Sequence, residues 1–407
     1  MTEESTDLLI AGGGPAGMMA GLLFARAGVK TMVLEKHADF LRDFRGDTVH
    51  PSTLHIFDEL GMLDELLARP HDRAEQLSGI IGGEKVRIAD FSRLPPPARF
   101  IALMPQWEFL DCVADLARAY PAFELRMNAE ATDLLWDGER VAGLICNGAP
   151  IRAKLVLAAD GRRSILRGRA ALPLEDLGAP IDVFWFRLSK ERTPDNRSTG
   201  VIATGRLLAL LDRGDYWQCA YVFAKGMADA LREKGLDNFR ADVAATAPFL
   251  AAAAGELESW DQVKLLTVEL DRLTRWHRPG LLAIGDAAHA MSPIGGVGIN
   301  LAIQDAVAAA NILAAPMAAG RAVDGLLARV QRRRMLPTRI VQAMQRTAQN
   351  RLIKRIVLDN VPITRPPRII RLMQRFPILQ RIPAYLIGLG FRREHVRSPD
   401  AGKGDSC

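Results

Sequence analysis

The fold is decided by the stretch DLLIAGGGPAG, residues 7–17, in which a short apolar run leads directly into a glycine-rich turn. The apolar run is typical of a buried parallel strand. A helix pattern follows as far as Arg26, and Gly28 is placed to end it. A second apolar strand, residues 31–34, then ends at Glu35. Strand, glycine-rich turn, helix, strand and terminal acid together predict a βαβ unit that binds a dinucleotide.

Each part of this unit has a physical task in holding a dinucleotide. Gly12 permits the tight turn, Gly14 lets the backbone approach a pyrophosphate, and Gly17 lets the helix pack close to the strand. The helix N-terminus offers free N–H groups and the positive end of a dipole to the phosphates. Glu35 is able to accept hydrogen bonds from both ribose hydroxyls of an adenosine. The unit alone leaves FAD and NAD both open. The residues expected to contact the cofactor here are Gly12, Gly14, Pro15, Ala16, Gly17, Glu35 and Lys36.

A second glycine-rich motif follows a later buried strand, residues 281–284. This strand ends in GDAAH, residues 285–289, and a glycine-rich loop then opens a long helix pattern. Asp286 stands at the carboxyl end of the strand, where α/β sheets bind ligands, and its carboxylate suits the hydroxyls of a ribityl chain. The helix N-terminus at residues 298–300 is placed to present N–H groups to an anion, such as the pyrimidine edge of reduced flavin. We expect His289 to order the loop through local hydrogen bonds rather than to act as a base.

A third motif lies between these two. A buried strand, residues 155–159, ends in DGRRSILR, residues 160–167. Asp160 and Gly161 form a turn that is able to reach the cofactor pyrophosphate through water. The arginines of the motif either hold the phosphates of a second nucleotide, NAD(P)H, or are simply solvated, and both interpretations stay open.

In this order and at these spacings, the three motifs resemble those of the group A flavoprotein monooxygenases, the para-hydroxybenzoate hydroxylase superfamily. The resemblance implies FAD as cofactor and NADPH or NADH as reductant. It also implies that Arg45 contacts the cofactor near the path of flavin movement, that Gln106 is a further FAD contact, and that Pro293 faces the reactive side of the flavin. The sequence departs from many relatives at Val297, where they have Gln or Lys. The other cofactor contacts that it implies are Asp160, Gly161, Gly285, Asp286, Gly296, Gly298, Ile299 and Asn300, together with Pro293 itself.

The same resemblance implies an α/β fold. Its parts are a Rossmann-like FAD-binding domain of the glutathione reductase type, an inserted mixed β-sheet substrate domain and a C-terminal helical region. Aromatic side chains in the alternating strands of the second domain suit either an aromatic substrate or plain sheet packing. The substrate contacts expected from them are Trp185, Trp217 and Tyr221. The expected divisions are 1–75, 100–178 and 265–320 for the FAD domain, 76–99 and 179–264 for the substrate domain, 321–397 for the helical region and 398–407 for a disordered tail.

The activity that the resemblance implies is NAD(P)H-driven hydroxylation of an aromatic or polycyclic small molecule by molecular oxygen, through a flavin C4a-hydroperoxide. The flavin performs the oxidation. We therefore expect Pro293 to shape the oxygen site and Arg45 to gate flavin movement, as the two catalytic residues. Two alternatives stay open: an FAD-linked reductase of a polyprenyl or other unsaturated substrate, and a non-catalytic flavoprotein sensor. A halogenase is less favoured because the Trp-x-Trp-x-x-Pro motif is missing.

The composition argues against secretion, a membrane span, a metal site and disulfide bonds. The acidic N-terminus lacks the apolar core of a secretory signal, and no stretch has the roughly 18 consecutive apolar residues that cross a bilayer. The four cysteines form no CxxC pair, so the sequence predicts no metal site and no disulfide framework. A cytoplasmic enzyme is the expectation that fits these features.

The positive charge of the chain is concentrated near its C-terminus. Residues 321–397 contain 18 Lys and Arg against 3 Asp and Glu. We favour solvated helical faces over a nucleic-acid partner, because few aromatic residues are interleaved with the arginines. Two apolar segments with basic flanks, residues 369–376 and 384–389, leave open a weak membrane-surface contact, packing over the substrate pocket or a dimer contact. Monomer and homodimer both remain open.

Overall fold

The computed structural model describes residues 4–41, 48–190, 198–350, 356 and 365–402. The helices of this described part are α1 (Pro15–Arg26), α2 (Pro51–Leu60), α3 (Leu63–Leu67), α4 (Gln106–Arg118), α5 (Ile165–Arg169), α6 (Ala228–Glu233), α7 (Leu236–Thr246), α8 (Ala251–Ala254), α9 (Gly298–Ala318), α10 (Leu327–Ala348), α11 (Arg368–Arg375) and α12 (Arg381–Gly388).

The strands of the described part are β1 (Ser5–Ala11), β2 (Thr31–Leu34), β3 (Thr48–Val49), β4 (Asp72–Ala74), β5 (Gln76–Ile81), β6 (Glu84–Asp90), β7 (Ile101–Leu103), β8 (Phe123–Arg126), β9 (Ala131–Asp137), β10 (Arg140–Cys146), β11 (Ala149–Ala158), β12 (Leu174–Asp176), β13 (Ile181–Ser189), β14 (Thr199–Ala203), β15 (Arg206–Asp212), β16 (Tyr216–Ala224), β17 (Lys264–Leu266), β18 (Asp271–Leu273), β19 (His277–Arg278) and β20 (Leu281–Ala283).

The first large sheet has a parallel core. Its order is β19-β20-β11-β1-β2-β8, and β10 and β9 extend it from β11. The strands β20, β11, β1, β2 and β8 are parallel, whereas β19, β10 and β9 pair antiparallel. Leu8, Leu9 and Ile10 of the central strand have no exposed surface, as expected for a parallel strand covered on both faces. This arrangement confirms the predicted Rossmann-like sheet.

The second large sheet is mixed, as predicted. Its order is β17-β13-β16-β15-β14-β5-β6, in which only the β14–β5 pair is parallel. One face packs against helix α7 and the short helices after it, with Phe239 and Val243 buried in that contact. The opposite face carries a separate apolar cluster that includes Ile294, which belongs to the loop after β20. The second sheet therefore faces the predicted cofactor loop with one side only.

Helix α9 is the long apolar helix of the core. The segment Ile294–Ala318 is long and apolar enough to cross a membrane, but 72% of the window that passes this test is buried inside the protein. Helices α1 and α10 pack against this helix. A buried core helix accounts for the composition of this segment.

The C-terminal segment is held against the first domain rather than free. The buried guanidinium of Arg26 donates from its Nη1 atom to the carbonyls of Ser398 (3.0 Å) and Pro399 (3.2 Å), and it pairs with Asp400. The Ala401 N–H donates in return to the Arg26 carbonyl. The expected disorder from residue 398 is therefore wrong for 398–402, because a buried arginine requires these partners. Residues 403–407 lie outside the described residues.

Candidate active site

Three loops meet at the carboxyl edge of the parallel sheet. They follow β1, β11 and β20, which are neighbours in the sheet. The Ala159 N–H donates to the Ala11 carbonyl (2.9 Å), and the Ile284 N–H donates to the Ala158 carbonyl (3.0 Å). The three sequence motifs, which are far apart in the chain, are thus brought together where α/β folds bind ligands.

The glycines of the first loop have different surroundings. A Cβ atom on Gly17 would lie 1.9 Å from the Gly12 carbonyl oxygen, and one on Gly12 would lie 2.4 Å from the Ala159 carbonyl oxygen. Gly12 also has a φ of 103°, which favours glycine. A Cβ on Gly14, by contrast, would meet no atom within 4 Å. Gly12 and Gly17 are therefore required by packing, whereas Gly14 leaves an open approach to the N-terminus of α1, as a pyrophosphate needs.

Glu35 is positioned by the backbone around it. Its Oε2 atom accepts a hydrogen bond from the Gly13 N–H (2.9 Å), and its Oε1 atom accepts one from the His37 N–H (3.1 Å). The side chain is buried at the end of β2, whereas Lys36 is exposed. A carboxylate at the end of the second strand of a βαβ unit is the group that accepts hydrogen bonds from ribose hydroxyls. The open approach at Gly14 and this carboxylate fit the adenosine diphosphate half of FAD.

The second and third loops are joined by an ion pair. The Nη2 atom of Arg162 lies 3.4 Å from Oδ2 of Asp286. Asp160 accepts hydrogen bonds from the Ser164 hydroxyl (2.6 Å) and the Leu166 N–H (3.2 Å), so it caps the start of α5. Burial raises the pKa of Asp160, and these hydrogen bonds oppose that effect. The predicted aspartates therefore lie at the same edge of the sheet, next to Gly161 and Gly285.

The arginines of the loop after β11 have different partners. Arg167 donates to the Arg162 carbonyl (2.6 Å) and pairs with Asp271 at 3.4 Å. Arg162 is engaged by Asp286, and Arg163 is exposed. Two of the three arginines considered for NAD(P)H phosphates thus have ion-pair partners within the protein.

The loop after β20 ends at the N-terminus of α9. Pro293 precedes a turn in which Gly295 and Gly296 both have positive φ values, of 80° and 61°. The first backbone hydrogen bond of α9 runs from the Leu301 N–H to the Val297 carbonyl. The N–H groups of the first turn, at residues 298–300, consequently have no partner within the helix and lie at the positive end of its dipole. The backbone of Gly298, Ile299 and Asn300 is therefore able to bind an anionic edge.

The Asn300 side chain holds the segment after residue 47 against this loop. Its Oδ1 atom accepts hydrogen bonds from the His50 N–H (2.9 Å) and the Thr53 hydroxyl (2.8 Å). Its Nδ2 atom donates to the carbonyls of Thr48 (3.2 Å) and Gly296 (3.3 Å). The side chain of Asn300 is thus committed to structure, and only its backbone N–H is available to a cofactor.

His50 is a buried neutral imidazole beside the same loop. Burial lowers the pKa of His50 to about 4. Its Nδ1 atom donates to the Ile387 carbonyl at 2.8 Å, because a carbonyl is only an acceptor. Its Nε2 atom, which has no hydrogen-bond partner among the described residues, lies 3.5 Å from where a Cβ on Gly296 would be.

His289 acts through local hydrogen bonds, as predicted. Its Nε2 atom lies 2.6 Å from Oδ2 of Asp305, which also accepts the Gly285 N–H (3.1 Å). The other oxygen of Asp305 accepts from Nε of Arg334 (2.8 Å), and Arg334 contacts Glu394 at 3.4 Å. Burial acts to raise the pKa of Asp305, but His289 and Arg334 bring it below its ordinary value. A buried chain of charges therefore anchors the GDAAH motif.

Glutamine side chains at the C-terminal end of α10, and at the residue that follows it, hold the loop that carries Pro293. The Nε2 atom of Gln345 donates to the carbonyls of Ser292 (2.9 Å) and Ile294 (3.0 Å), and its Oε1 atom accepts the Ser292 N–H (3.1 Å). Gln349 donates to the Ser292 hydroxyl at 2.8 Å. The sequence did not indicate these residues as part of the site. The available signal was a stripe of residues with helical spacing inside the basic helix, namely Arg334, Thr338, Gln342, Gln345 and Gln349.

The three aromatic residues expected to contact the substrate do not share a face of the second sheet. Trp217 and Tyr221 are buried in the cluster beneath α7, whereas Trp185 belongs to the cluster that includes Ile294. Side chains alternate between the two faces of a strand, so residues that are neighbours in the sheet plane can point in opposite directions. Trp217 and Tyr221 therefore fit the alternative of plain sheet packing, and of the three only Trp185 lies in the cluster that includes Ile294.

Two other predicted cofactor contacts, Gln106 and Arg45, stay predictions. Gln106 is the first residue of α4 and is partly exposed. Arg45 lies outside the described residues. Among the described residues, no group of three or more His, Cys, Asp and Glu side chains is arranged to hold a metal ion.

Comparison with known proteins agrees with this geometry. A family described as an FAD binding domain matches residues 5–346 of the chain. The chain is 34% identical over 321 residues to 6-methylpretetramide 4-monooxygenase of Streptomyces rimosus, covering 76% of this chain and 75% of that protein. It is 27% identical over 328 residues to a rifampicin monooxygenase of Streptomyces venezuelae, covering 79% of this chain and 66% of that protein. The crystal structure of p-nitrophenol 4-monooxygenase PnpA from Pseudomonas putida DLL-E4 shares the fold, with a TM-score of 0.74, 21% identity and coverage of 96% and 100%.

The chain therefore belongs to the FAD-binding-domain family and is an FAD-dependent monooxygenase. The predicted family, cofactor and enzyme class are confirmed. NAD(P)H is the reductant typical of such enzymes.

Proposed function

We propose that this enzyme hydroxylates a flat polycyclic aromatic molecule that lies on the second sheet, opposite the loop that carries Pro293. One observation carries the proposal. A row of small residues crosses the face of the sheet that is shared with Ile294, and this row starts at an aromatic side chain. The two monooxygenases that the chain resembles in sequence are named for 6-methylpretetramide and rifampicin.

The row follows from strand register. Trp185 of β13 lies opposite Ala220 of β16, which lies opposite Ala209 of β15. Ala209 lies opposite Gly200 of β14, which lies opposite Gly79 of β5. Directly paired residues point to the same face of a sheet, so one tryptophan is followed by four small residues. A Cβ on Gly200 would meet no atom within 4 Å. The row therefore has room above Gly200, as a flat ring system requires.

The neighbouring row is apolar and gives the rings a hydrophobic contact. Val183, Val222 and Leu207 are paired across β13, β16 and β15. They belong to the same cluster as Ile294. The Nε1–H group of Trp185 is buried and has no hydrogen-bond partner in the described part of the chain. This donor is available to an oxygen atom of the substrate, which would set the orientation of the rings.

The described residues bind and orient rather than transfer protons. When bound, FAD supplies the oxidation chemistry, taking a hydride from NAD(P)H and activating oxygen. We assign Gly14, the first turn of α1 and Glu35 to its adenosine diphosphate, Asp286 to its ribityl chain, and the first turn of α9 to its anionic pyrimidine edge. We keep Gln106, Asp160 and Arg45 as proposed contacts on the family resemblance. The loop that carries Pro293 is fixed by Gln345, so it is able to hold the oxygen site in one shape and exclude water.

The experiment is a paired substitution on β14. Gly200→Val places two methyl groups on this row of small residues without a backbone clash, and valine is favoured in strands. We expect the KM for a polycyclic phenol to rise about tenfold, a loss of about 1.4 kcal/mol in binding, with little change for a single-ring phenol. Thr199→Val is the matched control, because the next residue along a strand points to the other face.

The readout is NADPH or NADH consumption together with incorporation of one atom from ¹⁸O₂ into the product. Equal effects of the two variants on both substrate classes would place the substrate elsewhere. Labelled product with single-ring compounds only would refute the polycyclic assignment while leaving the monooxygenase intact.

A further inference from the structure

Exposed apolar side chains concentrate in one C-terminal surface. Of the sixteen large apolar side chains that are exposed in the described part of the chain, seven lie between residues 369 and 391. They are Ile369, Leu372, Phe376, Ile378, Ile382, Tyr385 and Phe391. Ile369 and Ile378 are about 60% exposed, at 61% and 59%. Single exposed apolar residues are ordinary, but a contiguous set of this size marks an interaction site.

The charge of this surface has a single sign. Residues 365–393 contain seven arginines and no lysine, aspartate or glutamate. Six of these arginines are exposed, namely Arg365, Arg368, Arg371, Arg375, Arg381 and Arg392. We call residues 365–392 the arginine–apolar surface. Its positive charge is not neutralised by acids of its own segment, so the partner that it fits is anionic.

Helix α11 presents the two properties as adjacent stripes. Its apolar residues Ile369 and Leu372 are followed at the same helical spacing by Phe376, and its arginines occupy the positions one residue earlier. The opposite side of the helix is anchored, since Met373 is buried and Gln374 exchanges two hydrogen bonds with the backbone of Arg87 on β6. These contacts on the other side of the helix leave the apolar stripe and the arginine stripe exposed to solvent.

Helix α12 continues the surface and is anchored more deeply. Ala384 and Gly388 are buried, and a Cβ on Gly388 would lie 3.0 Å from Leu94. Ile382 and Tyr385, on the other side of the helix, are exposed. The carbonyl of the adjacent Ile387 accepts the hydrogen bond from His50, so the helix also touches the segment that contacts the cofactor loop.

We propose that the arginine–apolar surface docks on an anionic lipid bilayer, with its arginines at the phosphate level and its apolar side chains in the interface. Basic, apolar helices that lie in the plane of the membrane have this composition. A second copy of the chain is a poorer occupant. In a two-fold symmetric dimer the same patch meets itself, which would bring six exposed arginines against six others without an acid in the segment.

The test uses the full FAD-loaded chain and vesicles of phosphatidylglycerol with phosphatidylcholine, compared with phosphatidylcholine alone, in a sedimentation assay. We expect binding to the anionic vesicles only, and weaker binding when salt is raised from about 0.05 to 0.5 M. Replacing Arg368, Arg371 and Arg375 together by Gln should lower vesicle binding about 100-fold at low salt. Phe376→Ser should lower it about tenfold.

Matched controls remove the same groups from other surfaces. Arg118, Lys154 and Arg169 are each more than half exposed, and their combined replacement by Gln removes three positive charges elsewhere. Phe249 is 53% exposed and lies outside the arginine–apolar surface, so Phe249→Ser is the control for the apolar change. Both controls should bind anionic vesicles as the unmodified protein does. The FAD content and the melting temperature of every variant establish that it is folded.

Binding that is equal for neutral and anionic vesicles, or equal in the two triple variants, would overturn the proposal. A second result would also overturn it: a dimer in sedimentation velocity without lipid, converted to a monomer by Phe376→Ser, together with no vesicle binding by any variant. The arginine–apolar surface would then contact a second copy of the chain. Neither result would bear on the proposed hydroxylation, which is measured without lipid.

Discussion

The buried ion chain beneath the GDAAH motif makes a sharp prediction about Arg334. Its guanidinium has no exposed surface and stands between two buried carboxylates, Asp305 at 2.8 Å and Glu394 at 3.4 Å. Arg334→Met keeps much of the side-chain volume but removes the positive charge. Removing one partner of a buried pair costs about 3–5 kcal/mol, because the remaining charge is left uncompensated. We expect Arg334→Met to lower the free energy of unfolding by that amount at pH 7.

Arg333→Met is the matched control. Arg333 also pairs with Glu394, at 2.7 Å, but its side chain is 30% exposed, and it is the next residue of the same helix. We expect a loss of about 1 kcal/mol from this change, since solvent screens the pair. Urea denaturation of the FAD-loaded variants, followed by circular dichroism, gives both values. Equal losses, or a loss below about 1 kcal/mol for Arg334→Met, would show that the buried Arg334 does not compensate the two carboxylates.

The effect of Arg334→Met should also depend on pH. The pKa of Asp305 is lower in the folded protein than its ordinary value, which is about 3.9. The stability that this ionised carboxylate contributes is therefore complete above pH 3.9 and is lost as the pH falls through the folded pKa. The difference between the unmodified protein and Arg334→Met should shrink below about pH 4.

Three further predictions concern the cofactor loops. Gly17→Ala should unfold the βαβ unit, because its Cβ would lie 1.9 Å from a backbone oxygen. Gly14→Ala should leave the melting temperature of the apoprotein unchanged, but it should weaken FAD binding at least about tenfold in a fluorescence titration. Gln345→Leu removes three hydrogen bonds to the loop of Pro293, and oxygen-electrode and peroxide assays should show more NAD(P)H consumed without product. Burial lowers the pKa of His50 from 6.5 to about 4, so protonation of this side chain is disfavoured in the folded state. The free energy of unfolding, measured by urea titration, should therefore fall by about 2 kcal/mol between pH 7 and pH 5, and this fall should be absent in His50→Gln. Gly14→Ala with unchanged FAD affinity, Gln345→Leu with unchanged coupling, or an identical pH dependence in His50→Gln would contradict the respective argument.

The fold around the cofactor was predictable because its signals are local. The strand, turn, helix and acid of residues 5–35 lie within one short stretch, and each has its own residue signature. The two later motifs show the same change from an apolar strand to a polar or glycine-rich turn. Parallel strands place such turns at one edge of a sheet, so the meeting of the three loops follows from their positions after strands.

The substrate face was only partly predictable because it depends on strand register. The sequence shows that Trp217 and Tyr221 lie on one side of their strand, since they are four residues apart. It does not show that Trp185 lies opposite Ala220, which puts the first aromatic residue on the other side. The row of small residues ending at Gly79 draws on strands far apart in the chain, and no local pattern reveals it.

The support that α10 gives to the loop was missed for a related reason. The helix is rich in arginine, and its exposed face is basic, so composition favours a solvated helix. Its other face carries Arg334 and Gln345, whose partners at Asp305 and Ser292 lie 29 and 53 residues earlier in the chain. Polar residues repeated at helical spacing in a helix indicate a buried polar face, but only the structure identifies what that face contacts.

We propose that this chain loads FAD and uses it to place one atom of molecular oxygen on a polycyclic aromatic ring. The direct measurement is mass spectrometry of the product formed in ¹⁸O₂ from the purified, FAD-loaded protein, with NADPH or NADH and a panel of polycyclic phenols. We expect one labelled oxygen in the product of at least one compound, with matching NAD(P)H consumption. An apoprotein that takes up no FAD, or a loaded protein that saturates a double bond without incorporating label, would contradict it.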